Sequence, residues 1–420
     1  MATLIWKGDA HSIAQATRCT LGGTIELGDV FTLAVGSKEL SVAATSTSAA
    51  DIAAAIVAAW NALPQTTHPE FVAIAASDAG SGALDLTAKV AGVPFSVTLS
   101  TTESGGGEAD SQTFTQSTIR AASGGAFWNV AANWSTGSVP ATGDDVVFQG
   151  SANSVLYGLD QSAVTLASLS IEQSYTGTIG LPRTNAGGYV EYRPQYLKIG
   201  ATQIVIGRGQ GAGSGRIKLD TLAVQTTIQV LDSGTPAEPD VKAVLWKGTH
   251  AGNQALVAKG SFAAANFAGE AATLAALKQG FKHNASSDSD VRLGPGCSLA
   301  SCAITKLGGT LEVNSSLSSL VQSGGETIIA AGSPGVLTIQ GGAVRYRSNG
   351  TYSSATISDG GELDFRQDMQ PRTGTNTTLA KGGVLRDPAK TVTFTNPIAI
   401  SSELADVNLD LGHTFQLQRS

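Results

Sequence analysis

Gly308-Gly309-Thr310-Leu311-Glu312-Val313 is the first of five versions of one phrase. The others are Gly324-Gly325-Glu326-Thr327-Ile328-Ile329, Gly341-Gly342-Ala343-Val344-Arg345-Tyr346, Gly360-Gly361-Glu362-Leu363-Asp364-Phe365 and Gly382-Gly383-Val384-Leu385-Arg386-Asp387. Each sets a glycine pair before a short alternating run, and the starts recur every 16 to 22 residues. That spacing is too irregular for a helical repeat and suits the rungs of a strand solenoid. A sharp corner often needs φ > 0, which glycine adopts without steric cost, so Gly309, Gly325, Gly342, Gly361 and Gly383 are assigned to the rung turns. The strand that follows points every second side chain inward.

Aligning the rungs on their glycines sorts the rest. Leu311 and Val313, Thr327 and Ile329, Val344 and Tyr346, Leu363 and Phe365 form inward stacks, and the apolar area buried between coils holds such a rod together. Leu385 continues the stack but Asp387 interrupts it, so the regular coil is expected to end near Asp387-Pro388. The outer column reads Glu312, Ile328, Arg345, Asp364, Arg386. On neighbouring coils these lie ~4.8 Å apart. Two readings of that face are open. In one it processes carbohydrate, with Glu362 and Asp364 as acid and base and Arg345 or Arg366 holding a sugar carboxylate. In the other it is a surface charge ladder worth ~0–1 kcal/mol per pair.

Composition agrees with many short strands and tight turns. Of 420 residues 50 are glycine, only 6% are aromatic and 14% are charged, against about 25% charged in an ordinary globular protein. A net charge of −7 argues against a nucleic-acid partner. No run of ~20 apolar residues suggests a membrane span. Met1 to Asp9 lacks the basic and apolar regions of a signal peptide, which points to synthesis in a reducing cytoplasm. Cys19, Cys297 and Cys302 make no disulfide framework.

Working toward the N-terminus, the helix signal nearly vanishes after residue 126, apart from alanine-rich Ala264 to Lys278, which fits a helix or another rung equally well. The roughly 270 residues beyond the boundary, at about 20 per coil, would stack into a rod about 60 Å long. Residues 1–122 read differently, as a small α+β attachment module. Thr24–Leu27, Val30–Val35 and Glu39–Val42 are expected strands, and Ser48 to Leu63 is an expected helix. Ser48 with Asp51 gives a capping-box-like start, Ile52, Ile56, Trp60 and Leu63 share one face, and Pro64 ends it. Strands return at Phe71–Ala75, Leu84–Ala88 and Phe95–Leu99, and Thr102 to Glu108 reads as an exposed turn.

Other chemistry finds little support. Gly207-Arg208-Gly209-Gln210-Gly211-Ala212 matches a loose dinucleotide fingerprint, but an alternating segment, Arg216–Leu219, follows where a helix is needed. His11, His68, His250, His283 and His413 are scattered, Cys297 and Cys302 are too far apart for a redox pair, and Asp288-Ser289-Asp290 lacks the rest of a calcium loop. No cofactor and no metal are expected.

The most distinctive local stretch is Phe127-Trp128-Asn129-Val130-Ala131-Ala132-Asn133-Trp134-Ser135-Thr136-Gly137-Ser138-Val139-Pro140-Ala141-Thr142-Gly143-Asp144-Asp145-Val146-Val147-Phe148. It resembles the W…NWS-x-G-x-V-P-x-x-G-D-x-V segment that opens parallel β-helices in passenger-type surface proteins and in phage or prophage structural proteins. The first ~120 residues also look like small modules of phage structural proteins. In physical terms Trp128 and Trp134 plug the end of the stack, while Pro140 and Gly143-Asp144 shape the turn into the first rung. The expectation is a mainly β chain: an α+β module (1–122), a right-handed parallel β-helix (123–390) and a C-terminal cap or partner-binding tail (391–420). The resemblance implies a non-enzymatic virion subunit (capsid decoration, fibre or spike) with capsid or tail proteins as partners and homo-oligomers, trimers among them. The rivals are a β-helix polysaccharide lyase or hydrolase and a leaderless adhesin on the cell surface.

Overall fold

In the computed structural model, residues 2–103, 111–238, 241–281, 288–412 and 417–419 are described. The Ser104–Glu108 part of the expected turn, His283 and His413 lie outside them. The chain is mainly β, with a small α+β region near its start and a long stack of parallel strands after it.

Most strands of the stack fall into two ladders that the chain visits in turn, and shorter parallel pairings such as Ala272–Thr273 with Cys297–Ser298 and Arg372–Gly374 with Val392–Phe394 form a further side. One starts at Thr3–Ile5 and passes through Asp145–Phe148, Leu197–Arg208, Cys297–Lys306, Val336–Ile339 and Arg372–Leu379 to Leu417–Arg419. The other runs from Ile217–Asp220 through Ser289–Leu293, Ala343–Tyr346 and Val384–Asp387 to Asn408–Leu411. Every pairing in both is parallel, and each coil satisfies the backbone of the next. Inward side chains from both ladders form one continuous core from Leu4 to Ile398. Leu311, Val313, Thr327, Ile329, Val344, Tyr346, Leu363, Phe365 and Leu385 all have no exposed area, as the alternation predicts.

The glycine corners follow the expected logic with one shift. Gly309, Gly325 and Gly342 hold φ near +70° to +76°, values of 76°, 75° and 69°. In the last two rungs the left-handed residue is instead the first of the pair, Gly360 or Gly382. Gly361 and Gly383 are needed for closeness: a Cβ there would lie 2.3 Å from the Ile339 carbonyl oxygen or 2.5 Å from that of Ile357.

The structure settles one open alternative and corrects further expectations. Ala264–Lys278 forms rungs, Ala272–Thr273 and Ala276–Gln279, because Leu277 sits in register between Ala255 and Ile304 and stacking outweighs alanine's helix preference. The coil does not end at Asp387, which pairs with Leu411 in a further rung. Its buried carboxylate accepts hydrogen bonds from the Thr391 N–H (2.9 Å), the Thr391 hydroxyl (2.9 Å) and the Val392 N–H (3.0 Å), so a turn replaces water around it. Finally, the first residues belong to the stack and not to the module: Thr3–Ile5 pairs with Asp145–Val147.

The module is thus inserted between the first strand and the rest of the stack. Ile13 and Ser123 exchange backbone hydrogen bonds of 2.8 and 3.3 Å where the chain leaves and returns. Inside it, the helix spans Ala49–Asn61 with Ser48 as cap, its hydroxyl accepting from the Asp51 N–H at 3.3 Å. Ile52, Ala53, Ile56 and Trp60 are buried against the sheets. One sheet runs Ile74–Gly80, Ala83–Ala88, Ala16–Gly22, Thr113–Arg120, and the other Lys38–Ala43, Val30–Val35, Thr98–Thr102. Thr24–Leu27 is not a strand; Ala16–Gly22 takes the place beside Ala83–Ala88. Among the described residues no helix is long and apolar enough to cross a membrane.

Candidate functional site

The outer column predicted from the rungs is continuous in register. Arg292 lies beside Glu312, Glu312 beside Ile328, then Arg345, Asp364, Arg386 and Asp410. Strand alternation puts all of them on the outer side of the second ladder, and only Ile328 breaks the charge. Glu326 and Glu362 flank the column from its neighbouring position.

Each carboxylate here is met by arginine. The Glu362 carboxylate takes Arg386 at 2.8 Å, Arg366 at 3.3 Å and Arg345 at 3.7 Å. Asp364, only 1% exposed, receives Arg345 and also Arg366, whose Nε lies 2.9 Å from Oδ1. The Arg366 backbone N–H adds a third donor at 2.9 Å. Burial by itself pushes the Asp364 carboxyl up, but the hydrogen bonds from Arg366 and Arg345 outweigh it and hold the group below its ordinary value. Arg345 in turn holds Glu326 at 3.0 Å, and Arg292 faces Glu312 at 3.6 Å. The structure therefore brings Arg345, Glu362, Asp364 and Arg366 together, as a closed network of ion pairs. A general acid needs a carboxyl that keeps its proton near neutral pH, and Asp364 is held the other way.

At the opposite end the Trp-containing segment builds a dry seal. Trp128 and Trp134 cross at 4.7 Å between ring centroids, and Trp6 packs edge-on to Trp134 at 5.1 Å. Phe148 and Tyr175 complete the group. The Trp134 indole N–H donates to the Trp128 carbonyl, and that of Trp6 to the Asn153 carbonyl, both at 2.8 Å. The three residues Asn133-Trp134-Ser135 divide the work. The Asn133 amide donates to the carbonyls of Gly124 (2.9 Å) and Phe127 (2.8 Å) and accepts from the Ala10 N–H (2.8 Å). Ser135 covers the outer edge of the first strand, its hydroxyl accepting from the Ile5 N–H at 2.9 Å and its N–H donating to the Ile5 carbonyl at 2.9 Å. Pro140 is buried, and Asp144 ties the turn to the N-terminal strand by accepting from the N–H groups of Ala2 (2.9 Å) and Ala141 (3.0 Å). Those two donors hold the Asp144 carboxyl below its ordinary value.

Sequence reading missed Trp6, although Leu4-Ile5-Trp6 has the alternation of a rung. It also missed the polar residues turned inward beneath the glycine corners. Gln279, Lys306 and Gln322 follow one another in register. The Gln279 amide donates to the Thr310 carbonyl (2.8 Å), the Lys306 ammonium to Gly324 (2.8 Å), and the Gln322 amide to Gly341 (3.2 Å). Tight corners turn carbonyls into the core, and these donors satisfy them. Burial pulls the Lys306 ammonium down to about 8, against a partial upward pull from Glu326. Period-2 phasing from Ile304 would have placed Lys306 inside.

The remaining candidates do not converge. The Gly207–Ala212 turn is followed by the strand Ile217–Asp220, Asp290 pairs with Lys242, and the three cysteines are buried and free. Among the described residues no cluster of His, Cys, Asp or Glu is arranged to hold a metal. A cavity of about 170 Å³ lies between module and stack, lined by Pro94, Phe95, Leu156, Tyr157, Leu181 and Arg193, away from the charged column. Its Arg193 guanidinium is spanned by Glu191 and also donates to the Pro94 carbonyl, so it fastens module to rod. Comparison with protein families, with curated proteins and with solved structures returned no match.

Proposed function

We propose that this chain is a non-enzymatic structural subunit of a phage-type particle, a decoration, fibre or spike protein. In this reading the β-helix is its rod and the inserted module its attachment point. The observation that carries the non-enzymatic part is the closed pairing on the charged flank. Glu362 and Asp364 are each held by two or more arginines, and Asp364 is kept ionised. Such a network suits a surface that must stay folded and soluble more than one that transfers protons. The particle assignment rests on the resemblance of Phe127–Phe148 to the opening segment of phage and prophage β-helices.

The test is to purify particles from the source organism on a density gradient and identify their proteins by mass spectrometry. Recovery of this chain at stoichiometric levels with capsid or tail proteins is the expected result. A purified chain that degrades a glycan, and loses that activity in Glu362→Gln or Asp364→Asn, would overturn it in favour of the polysaccharide lyase or hydrolase. Its recovery on the cell surface and not in particles would favour the adhesin.

A further inference from the structure

The cavity of about 170 Å³ at the seam of module and rod belongs to neither the charged flank nor the aromatic seal. Residues 94–96 wall it from the module, and residues 156–159 with Leu181 from the rod. The polar backbone groups along these walls are engaged at one position after another. The Pro94 carbonyl accepts from the Arg193 guanidinium at 3.1 Å. Phe95 meets the Gln15 side-chain amide with both its backbone groups, its carbonyl accepting at 2.9 Å and its N–H donating at 3.0 Å. The N–H groups of Leu156 and Tyr157 share the Ala126 carbonyl, and that of Leu181 donates to the Gln195 carbonyl. The carbonyls of Tyr157 and Leu159 accept from the N–H groups of Trp128 and Lys198, and that of Gly158 from the Gln161 amide. Arg193 is the single charged residue of the lining, and both oxygens of the Glu191 carboxylate neutralise it at 2.8 Å. Among the described residues, no buried side-chain nitrogen or oxygen lacking a hydrogen bond belongs to this lining.

We propose that this cavity is a binding site for one small, uncharged, apolar molecule, the size of a single six-membered carbon ring. The chemistry of the walls selects that class. A water molecule needs about two to four polar partners, and walls whose donors and acceptors are taken up elsewhere offer it too few. A sugar or an ion would shed its hydration there without recovering hydrogen bonds, and so would the main chain of a peptide. The paired Arg193 leaves no net charge to attract an anion. Volume then sets the size, since an apolar cavity of about 150 Å³ accommodates benzene. Left empty, such a void forfeits dispersion contacts along its lining. Its occupant touches module and rod at once and completes the packing between them, at the kind of junction where small-molecule sites recur. This inference goes beyond the structural role and stands without it, because it uses only the chemistry of the seam.

The experiment titrates the full chain with benzene, with inositol as a hydroxylated ring and with benzoate as a charged one. Binding is followed by saturation-transfer NMR of each probe and by the melting temperature of the protein. Benzene is expected to saturate one site and raise the melting temperature, while inositol and benzoate do neither. Leu156→Trp enlarges a half-buried side chain of the lining and should abolish saturable benzene binding with an unchanged circular dichroism spectrum. Ser96→Trp, which fills the cavity from an exposed position, is the second variant if Leu156→Trp perturbs the fold. Val336→Ser, on the exposed outer side of the stack, is the control and should bind benzene as the wild type does. Absence of saturable benzene binding, undiminished binding in a folded cavity-filling variant, or preferential binding of inositol or benzoate would each overturn the proposal.

Discussion

The aromatic seal at the start of the rod and the charged flank toward its far end are both built from conspicuous residues, but their surroundings differ. Trp6, Trp128 and Trp134 are at most 1% exposed and touch one another at fixed angles, with the Trp6 and Trp134 indole N–H groups bound to carbonyls. Arg345, Glu362 and Arg386 keep roughly a quarter of their side-chain area in water, and several partners can substitute for one that is lost. A dry site has no solvent to fill a vacancy; a half-wet network does. The difference predicts a steep gradient in what single changes cost.

The largest effect should come from the seal. Trp134→Ala and Trp6→Ala are each expected to lower unfolding free energy by ~3–5 kcal/mol in denaturant titrations. Equal losses would show that the N-terminal strand is part of the rod; a small loss for Trp6→Ala would break the comparison. Next is the buried ammonium of Lys306. Its folded value of about 8 lies below the ordinary 10.5, so the unfolded chain binds more protons between those values and stability should rise with pH across that window. The gain is on the order of 3 kcal/mol at most, and Lys306→Met should lack it. The buried thiols Cys19, Cys297 and Cys302, pushed up to about 12 by burial, work against stability above about 9. They do so in both proteins, so the difference between the two pH profiles isolates the lysine.

Smaller effects separate the glycines. Gly342→Ala combines left-handed strain with a Cβ 2.1 Å from the Gly325 carbonyl oxygen, whereas Gly360→Ala meets nothing within 4 Å and bears strain alone. Melting curves should show ~1–2 kcal/mol for Gly360→Ala and a clearly larger loss for Gly342→Ala. The smallest change should be Glu362→Gln, below ~1 kcal/mol and shrinking in high salt, because Arg345, Arg366 and Arg386 retain Glu326, Asp364 and Asp410. A loss of several kcal/mol there would mean the flank is as tightly coupled as the seal.

The rungs were legible because glycine pairs and period-2 alternation are local properties. Leu311, Val344 and Leu363 need only their own strand's phase to be placed inside. The charged column was legible for the same reason, extended from strand to strand by a common starting glycine. Asp387 misled because an inward carboxylate reads as a break, and its donors on Thr391 and Val392 arrive only when the chain folds back. The stretch 264–278 was ambiguous because alanine serves either state when its neighbours are unknown. Thr3–Ile5 was missed because its partner, Asp145–Phe148, lies more than a hundred residues away.

The amino-acid sequence by itself determined the alternation, the corners and the identity of the inward stacks, because backbone sterics and strand periodicity act within a few residues. Tertiary structure alone decided that the module is an insertion and that Trp6 joins the seal. It also decided that Lys306 is satisfied by a corner carbonyl and that every carboxylate on the charged flank has its arginine. Those outcomes depend on which distant groups meet, and a chain's local pattern does not contain the positions of its partners.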